Sequence, residues 1–349
     1  MGIKKINNGG VIRVSEHGAF DVEKGLPEVA RGQVFSLTGW GSLEQLQQAG
    51  VGAKGTQTPQ MWLCGGNGEL PPVYDRFIVD GVQSRLITRN GCTVGICYQD
   101  AYAEYCLLTG ILPPDLTLSR EAQTTAVFEG IEDALKDADM TFDDVARTWL
   151  YMDDILDWYD SFNHARDEFF RSRKVYAGLV PASTGIGSAN LYGAAFTANA
   201  IAVKPKADEV YVSRVDSPLQ CAALDYGSSF SRAVEIGTPE YRSLLVSGTA
   251  SIESGGDTAF VGDVPKQIQL TLDVVEGILK ARGMDWSDTT RAVMYLKKPE
   301  YLADWNAWLK QNHLENLPHI NIVADVCRAD LLVELELDAI KRQTHEKVH

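Results

Sequence analysis

Met140-Thr141-Phe142-Asp143-Asp144-Val145, running on to Arg147-Thr148-Trp149-Leu150-Tyr151, returns later in the chain as Met284-Asp285-Trp286-Ser287-Asp288 and Arg291-Ala292-Val293-Met294-Tyr295. The offset is constant: 144 residues separate Gln123 from Gln267, Met140 from Met284 and Tyr151 from Tyr295. A register held over three landmarks marks an internal repeat, and a repeat decides the fold before any single motif does. Upstream of it, Leu107-Leu108-Thr109-Gly110 and Leu245-Val246-Ser247-Gly248 are apolar stretches closed by glycine. Between these and the repeated passage, Val127, Ile131 and Leu135 in one copy, and Leu272, Val275 and Leu279 in the other, stand at helical spacing.

Downstream, residues 158–170 and 301–309 predict a second amphipathic helix in each copy. Pro181 and Pro318 mark the breaks that follow, and residues 194–203 and 331–340 read as closing strands. Each copy is therefore strand, helix, strand, helix, strand. The charged, proline-bearing stretch 204–208 separates them. The expected division is an N-terminal elaboration of domain one over 1–90, a first repeat domain over 91–206 and a second over 207–349. Residues 1–90 show no counterpart in the second copy.

With 349 residues, 45% hydrophobic and 23% charged, the chain is long enough for two cored domains. Its net charge of −15 argues against nucleic acid and anionic membrane as partners, so an anionic small metabolite must meet a local basic pocket. The start, Met1-Gly2-Ile3-Lys4-Lys5, lacks a signal-peptide core, and Ile6 stands where a myristoylation signal wants Ser or Thr. With no apolar run approaching about 18 residues, the expectation is a cytoplasmic protein. The six cysteines and six histidines lack metal-ligand spacing, so no metal is expected.

The second copy, with Ser247-Gly248, a Gln267-bearing helix, Gly283-Met284, Pro318 and Leu332-Val333-Glu334-Leu335-Glu336, resembles a Rid (YjgF/UK114, endoribonuclease L-PSP) domain. The two copies together, residues 105 to 341, resemble the chorismatases, two fused Rid-like domains that cleave chorismate and release pyruvate. Arg147 to Tyr151, Pro181-Ala182-Ser183-Thr184-Gly185-Ile186-Gly187, Tyr226 to Ala233, and Cys327-Arg328 with Leu332-Val333-Glu334 carry that second likeness. The resemblance implies an α/β (α+β), chorismate mutase-like fold of two tandem domains, each a mixed, largely antiparallel sheet with two helices on one face. It also implies a homo-oligomer, a trimer in the single-domain relatives, or a pseudo-oligomeric chain.

Rid imine deaminases carry a carboxylate-clamping arginine two residues after the strand-opening proline, where this chain has Ile320 and Ser183. Losing a buried arginine–carboxylate contact costs about 2–5 kcal/mol. The leading reading is therefore a cofactor-free chorismatase-like lyase or hydrolase. An enamine/imine deaminase with a relocated clamp and a non-catalytic metabolite-binding protein are the alternatives. The closing strand puts Glu334, Glu336 and Asp338 on one face and Leu335 and Leu337 on the other, so burial of Glu334 beside like charges would raise its pKa into the range of a general acid. The first copy has Ala195-Phe196-Thr197-Ala198-Asn199 there, which implies one competent site per chain.

Chorismate is a dianion with an enol ether, requiring an acid for its methylene and clamps for its carboxylates. Arg232, Arg147 and Arg166 are the candidate clamps, since arginine's planar fork suits carboxylates. By resemblance to 3-hydroxybenzoate-forming chorismatases, Cys327 is a candidate residue beside the substrate and the acid. Ser183, Thr184 and Gly185 are candidate donors to an anion and Tyr151 to a substrate hydroxyl.

Overall fold

The computed structural model describes residues 2–8, 11–52, 56–66 and 68–343. Residues 2–80 form a first sheet from β1 (Gly2–Asn8), β2 (Val11–Ala19), β3 (Gln33–Gly41), β4 (Gln60–Cys64) and β5 (Val73–Asp80), with the short helix α1 (Leu43–Gln48) between β3 and β4. The first repeat builds a second sheet. Its elements are β6 (Ser84–Arg89), β7 (Cys92–Gln99), β8 (Ala103–Ile111), α2 (Arg120–Lys136), β9 (Val145–Met152), α3 (Ile155–Ser172), β10 (Ala182–Gly187), β11 (Ala189–Asn190) and β12 (Phe196–Pro205). The second repeat builds a third sheet. It contributes β13 (Tyr211–Val215), β14 (Ala233–Gly237), β15 (Tyr241–Ala250), α4 (Val264–Ala281), β16 (Thr289–Leu296), α5 (Leu302–Gln311), β17 (His319–Val323), β18 (Asp325–Val326) and β19 (Val333–Arg342). Two short strands cross between sheets, β11 onto β4 and β18 onto β10.

The two repeats share one strand order, β7-β8-β12-β9-β10 and β14-β15-β19-β16-β17. In each the last pair is parallel and bridged by a helix, and the other pairings are antiparallel. The first sheet runs β1-β2-β5-β3-β4, the same order, with β3 and β4 parallel across α1. Residues 2–80 therefore have the repeat topology, where the sequence showed no counterpart. They lack only the helix that α2 and α4 supply in the repeats, and with it the helical periodicity that reveals the other two copies. β6 already belongs to the second sheet, so the sheet boundary falls near residue 80 rather than 90.

Helices cover one face of each repeat sheet. Ser119 caps α2 by accepting from the Ala122 amide, and Asp263 caps α4 by accepting from Lys266. Phe128, Ile131, Phe162 and Phe169 bury α2 and α3 against the second sheet; Ile268, Leu272, Trp305 and Leu309 do so for α4 and α5 on the third. The uncovered faces turn toward one another. Trp40, Tyr151 and Tyr295, one from each sheet, meet in a single buried cluster. They are register equivalents, standing opposite Val73, Thr197 and Glu334 in β5, β12 and β19. The inner faces are thus related by an approximate threefold arrangement within one chain, and the positions opposite those aromatics fall at junctions between sheets.

Candidate active site

Of the three equivalent positions Val73, Thr197 and Glu334, only the last carries an ionisable group. Glu334 lies on the inner face of β19, opposite Tyr295 on one side and Ala250 on the other, while Val333, Leu335 and Leu337 pack beneath the helices. It lines a cavity of about 520 Å³ between the second and third sheets. α3 supplies Tyr159, Asn163 and Arg166 to the wall, β10 supplies Ser183 and Gly185, and the segment before β14 supplies Arg232. Cys327 and Arg328 enter from the loop ahead of β19.

Burial pushes the Glu334 carboxyl from 4.5 up to about 8, and the Glu336 charge adds to it, against the opposing pull of Arg147 and Arg232. At neutral pH this is a protonated acid in a closed wall. Gly248 makes room for it, since a Cβ there would collide with Glu334 Oε1. Gly248→Ala is therefore expected to displace the carboxyl and lower kcat/KM by about 100-fold with the fold retained, as circular dichroism and steady-state kinetics on the same preparation would show.

Three arginines share the cavity with this acid. Arg166 is 2% exposed; its Nη2 donates to Asn163 Oδ1 at 2.7 Å and its Nε has no partner among the described residues. Arg232 donates through Nε and Nη2 to the Cys221 carbonyl, both at 3.0 Å, which fixes its plane. Arg328 donates through Nη1 to the Gly256 carbonyl at 2.8 Å. The exposed Asp157 and Asp160 sit at the rim. Among the described residues no three His, Cys, Asp or Glu side chains are grouped as a metal site requires.

No family model matches the chain. It is 27% identical over 278 residues to a 3-hydroxybenzoate synthase of Streptomyces hygroscopicus, an alignment covering 71% of this chain and 77% of the relative. A RutC family protein of Sulfurisphaera tokodaii is 28% identical over 108 residues, 30% of this chain and 82% of that one. A chorismatase crystal structure shares the fold, with a TM-score of 0.72 at 19% identity over 94% of this chain and 98% of its own. These likenesses support a chorismatase-like, Rid-superfamily protein with tandem domains, and an enzyme.

The structure separates the residues that the sequence singled out. Glu334, Cys327, Arg166, Arg232, Ser183 and Gly185 border one cavity; Arg147, Tyr151 and Thr184 do not. Arg147 is fully buried, and its Nη2 is engaged by Thr184 Oγ1 at 2.6 Å and Glu336 Oε2 at 2.9 Å. It holds the junction between two sheets instead of reaching a substrate. Tyr151 shares its face of β9 and joins Tyr295 in the central cluster, outside the cavity lining. Thr184 Oγ1 also accepts from the Gly248 amide at 3.0 Å. The Ser183 amide is taken by Ser247 Oγ at 2.9 Å, so it is no free donor to an anion. Burial pushes the Cys327 thiol to about 12, with the Glu334 charge acting the same way, so Cys327 is a neutral wall residue at physiological pH.

Arg328 is the clamp candidate that sequence reasoning missed, although it adjoins Cys327 in a quoted string. Strand and helix periodicity says nothing about an irregular loop, and only the crossing of β18 onto β10 brings that loop to the cavity.

The raised Glu334 acid carries a pH signature. Catalysis that needs its proton is expected to hold level below about pH 8 and to fall about tenfold per unit above it. Stability follows the same proton. Between 4.5 and about 8 the folded chain holds a proton that the unfolded chain releases, so Glu334's contribution is full below that window and declines as pH rises through it. Denaturant unfolding at stepped pH is expected to show this slope in the wild type and its removal in Glu334→Gln.

Proposed function

We propose that the enzyme acts on chorismate or a closely related enolpyruvyl carboxylate and releases pyruvate without a cofactor. The observation that carries this is the neutral, buried Glu334 sharing one cavity with Arg166, Arg232 and Arg328. A dianionic enol ether needs that combination, with guanidinium groups for two carboxylates and an acid that adds no negative charge beside them. Glu334 donates its proton to the enolpyruvyl methylene, turning it into a methyl group and leaving an oxocarbenium ion. Water adds to that cation. Collapse of the resulting hemiketal breaks the ether bond and frees pyruvate. The attacking water's proton returns to Glu334, closing the cycle.

Cys327, uncharged and beside Glu334, bounds the space in which the ring settles. A relative is a 3-hydroxybenzoate synthase, which supports loss of water from the dihydroxydiene acid left after pyruvate release, giving an aromatic hydroxy acid as the second product. We infer further that one chain is a complete catalytic unit, because both sheets that wall the cavity belong to it. No helix among the described residues is long and apolar enough to cross a membrane.

The test is incubation of the purified chain with chorismate, the products being resolved by liquid chromatography, beside a parallel assay of ammonia release from 2-aminoacrylate. Consumption of chorismate with formation of one aromatic or dihydroxy acid supports the reading. Ammonia release with chorismate untouched would make it an imine deaminase whose clamp has moved to the cavity arginines, and silence in both assays would leave a binding protein.

A further inference from the structure

Glu336 has no place in the chemistry above, yet it is the most heavily engaged carboxylate on the inner face. It is fully buried. It accepts from Arg147 Nη2 at 2.9 Å and from Trp149 Nε1 at 2.9 Å, both on β9 of the second sheet, and from Arg291 Nη2 at 2.6 Å on β16 of its own. Burial alone would raise this carboxyl, but Arg291 and Arg147 outweigh it and hold the group below its ordinary value. Glu336 is thus an anion fixed in place from two sheets. It stands two residues from Glu334 on the same strand face, roughly 7 Å along the strand.

The register equivalents of Glu336 are Asn199 in β12 and Asp75 in β5. Asn199 donates to Thr38 Oγ1 at 3.0 Å, and Asp75 pairs with Arg291. The position therefore joins sheets in all three copies, whatever stands beside it. Only at Glu336 does the joining group carry a negative charge next to an acid that faces a cavity.

The groups facing Glu334 come from every element around it. Arg147 comes from β9, Arg232 from the segment before β14, Arg166 from α3, Arg328 and Cys327 from the loop before β19, Tyr295 from β16 and Glu336 from β19 itself. Of these, Arg147 and Arg232 pull the Glu334 carboxyl toward ionisation; burial, the largest influence, and one fixed anion oppose them. We propose that Glu336 is a positioning residue, a carboxylate locked by Arg147, Trp149 and Arg291 whose charge keeps Glu334 in its acid form among the cavity arginines. This rests on Glu334 being the acid of the proposed reaction and says why that acid survives there.

Glu336→Gln removes the charge and keeps the shape. At an effective dielectric of about 20, a unit charge at this separation moves a neighbour by roughly one to two pH units. The basic limb of kcat/KM is expected to move down from about 8 by that amount, so that activity above the old limb falls by about tenfold or more while the plateau at low pH persists. Glu336→Asp, which keeps the charge, is expected to lose stability and retain the limb. A limb unmoved in Glu336→Gln would reduce the residue to a sheet-joining role and overturn the proposal.

Should the Gln variant fail to fold, carbon NMR of wild-type protein labelled in its glutamate carboxyls decides the matter. A neutral buried carboxyl at pH 7 that disappears in Glu334→Gln is required; a neutral signal that persists in that variant and disappears in Glu336→Asp would mean that Glu336 is not the fixed anion. The NMR readout does not depend on turnover, so failure of the chorismate reading leaves it intact and the two failures are separable.

Discussion

Glu334→Gln is expected to lower kcat for pyruvate release by about 10²- to 10⁴-fold, the span that one well-placed general acid contributes. The replacement suits the site because the wild-type group is already neutral at pH 7, held at about 8 by burial and by Glu336. Gln keeps the shape and adds no charge. The fold and the substrate affinity should therefore persist while the proton is gone, which separates an acid role from a packing role. Thermal melting within a few degrees of wild type, together with an unchanged KM, is the accompanying expectation. A Gln variant with undiminished kcat would remove Glu334 from the chemistry.

Arg166→Ala and Arg328→Ala carry the next largest effects. Both guanidinium groups line the cavity, where Arg166 is tied to Asn163 and Arg328 to the Gly256 carbonyl. Each is placed to meet a substrate carboxylate there. Loss of one such buried contact costs about 2–5 kcal/mol, which is ~30-fold to several thousand-fold in binding. The expected reading is a rise in KM of that order with a smaller change in kcat, measured against chorismate. Arg147→Ala should act differently. It breaks the junction with Glu336 and Thr184, so destabilisation is expected ahead of any selective loss of affinity.

The repeat was legible because its helices are amphipathic and its Arg-x-x-x-Tyr strands hold a constant offset, and those features set the topology of the second and third sheets. The first sheet was not, because it dispenses with the helix that gives such a repeat its 3.6-residue period, and its pairing is written only in strand register. At the site, alternation along β19 correctly put Glu334, Glu336 and Asp338 on one face. It could not say whether that face met water or another sheet, and the answer separates an ordinary surface from a buried acid. Arg147 and Tyr151 were singled out by their place in a motif, which could not show that both lie at the junction between sheets. Arg166 was reached from sequence by its place in a motif, whereas Arg328 sits in a loop that no periodicity describes.

The central claim is that Glu334, kept protonated among arginines, drives release of pyruvate from chorismate. Its most direct test is the lactate dehydrogenase-coupled release of pyruvate from chorismate by wild type and Glu334→Gln, followed from pH 6 to pH 10. One pyruvate per chorismate consumed is expected from the wild type, at a rate that holds to about pH 8 and declines above it, and almost none from the variant. No pyruvate from the wild type, or equal release by both proteins, would contradict it.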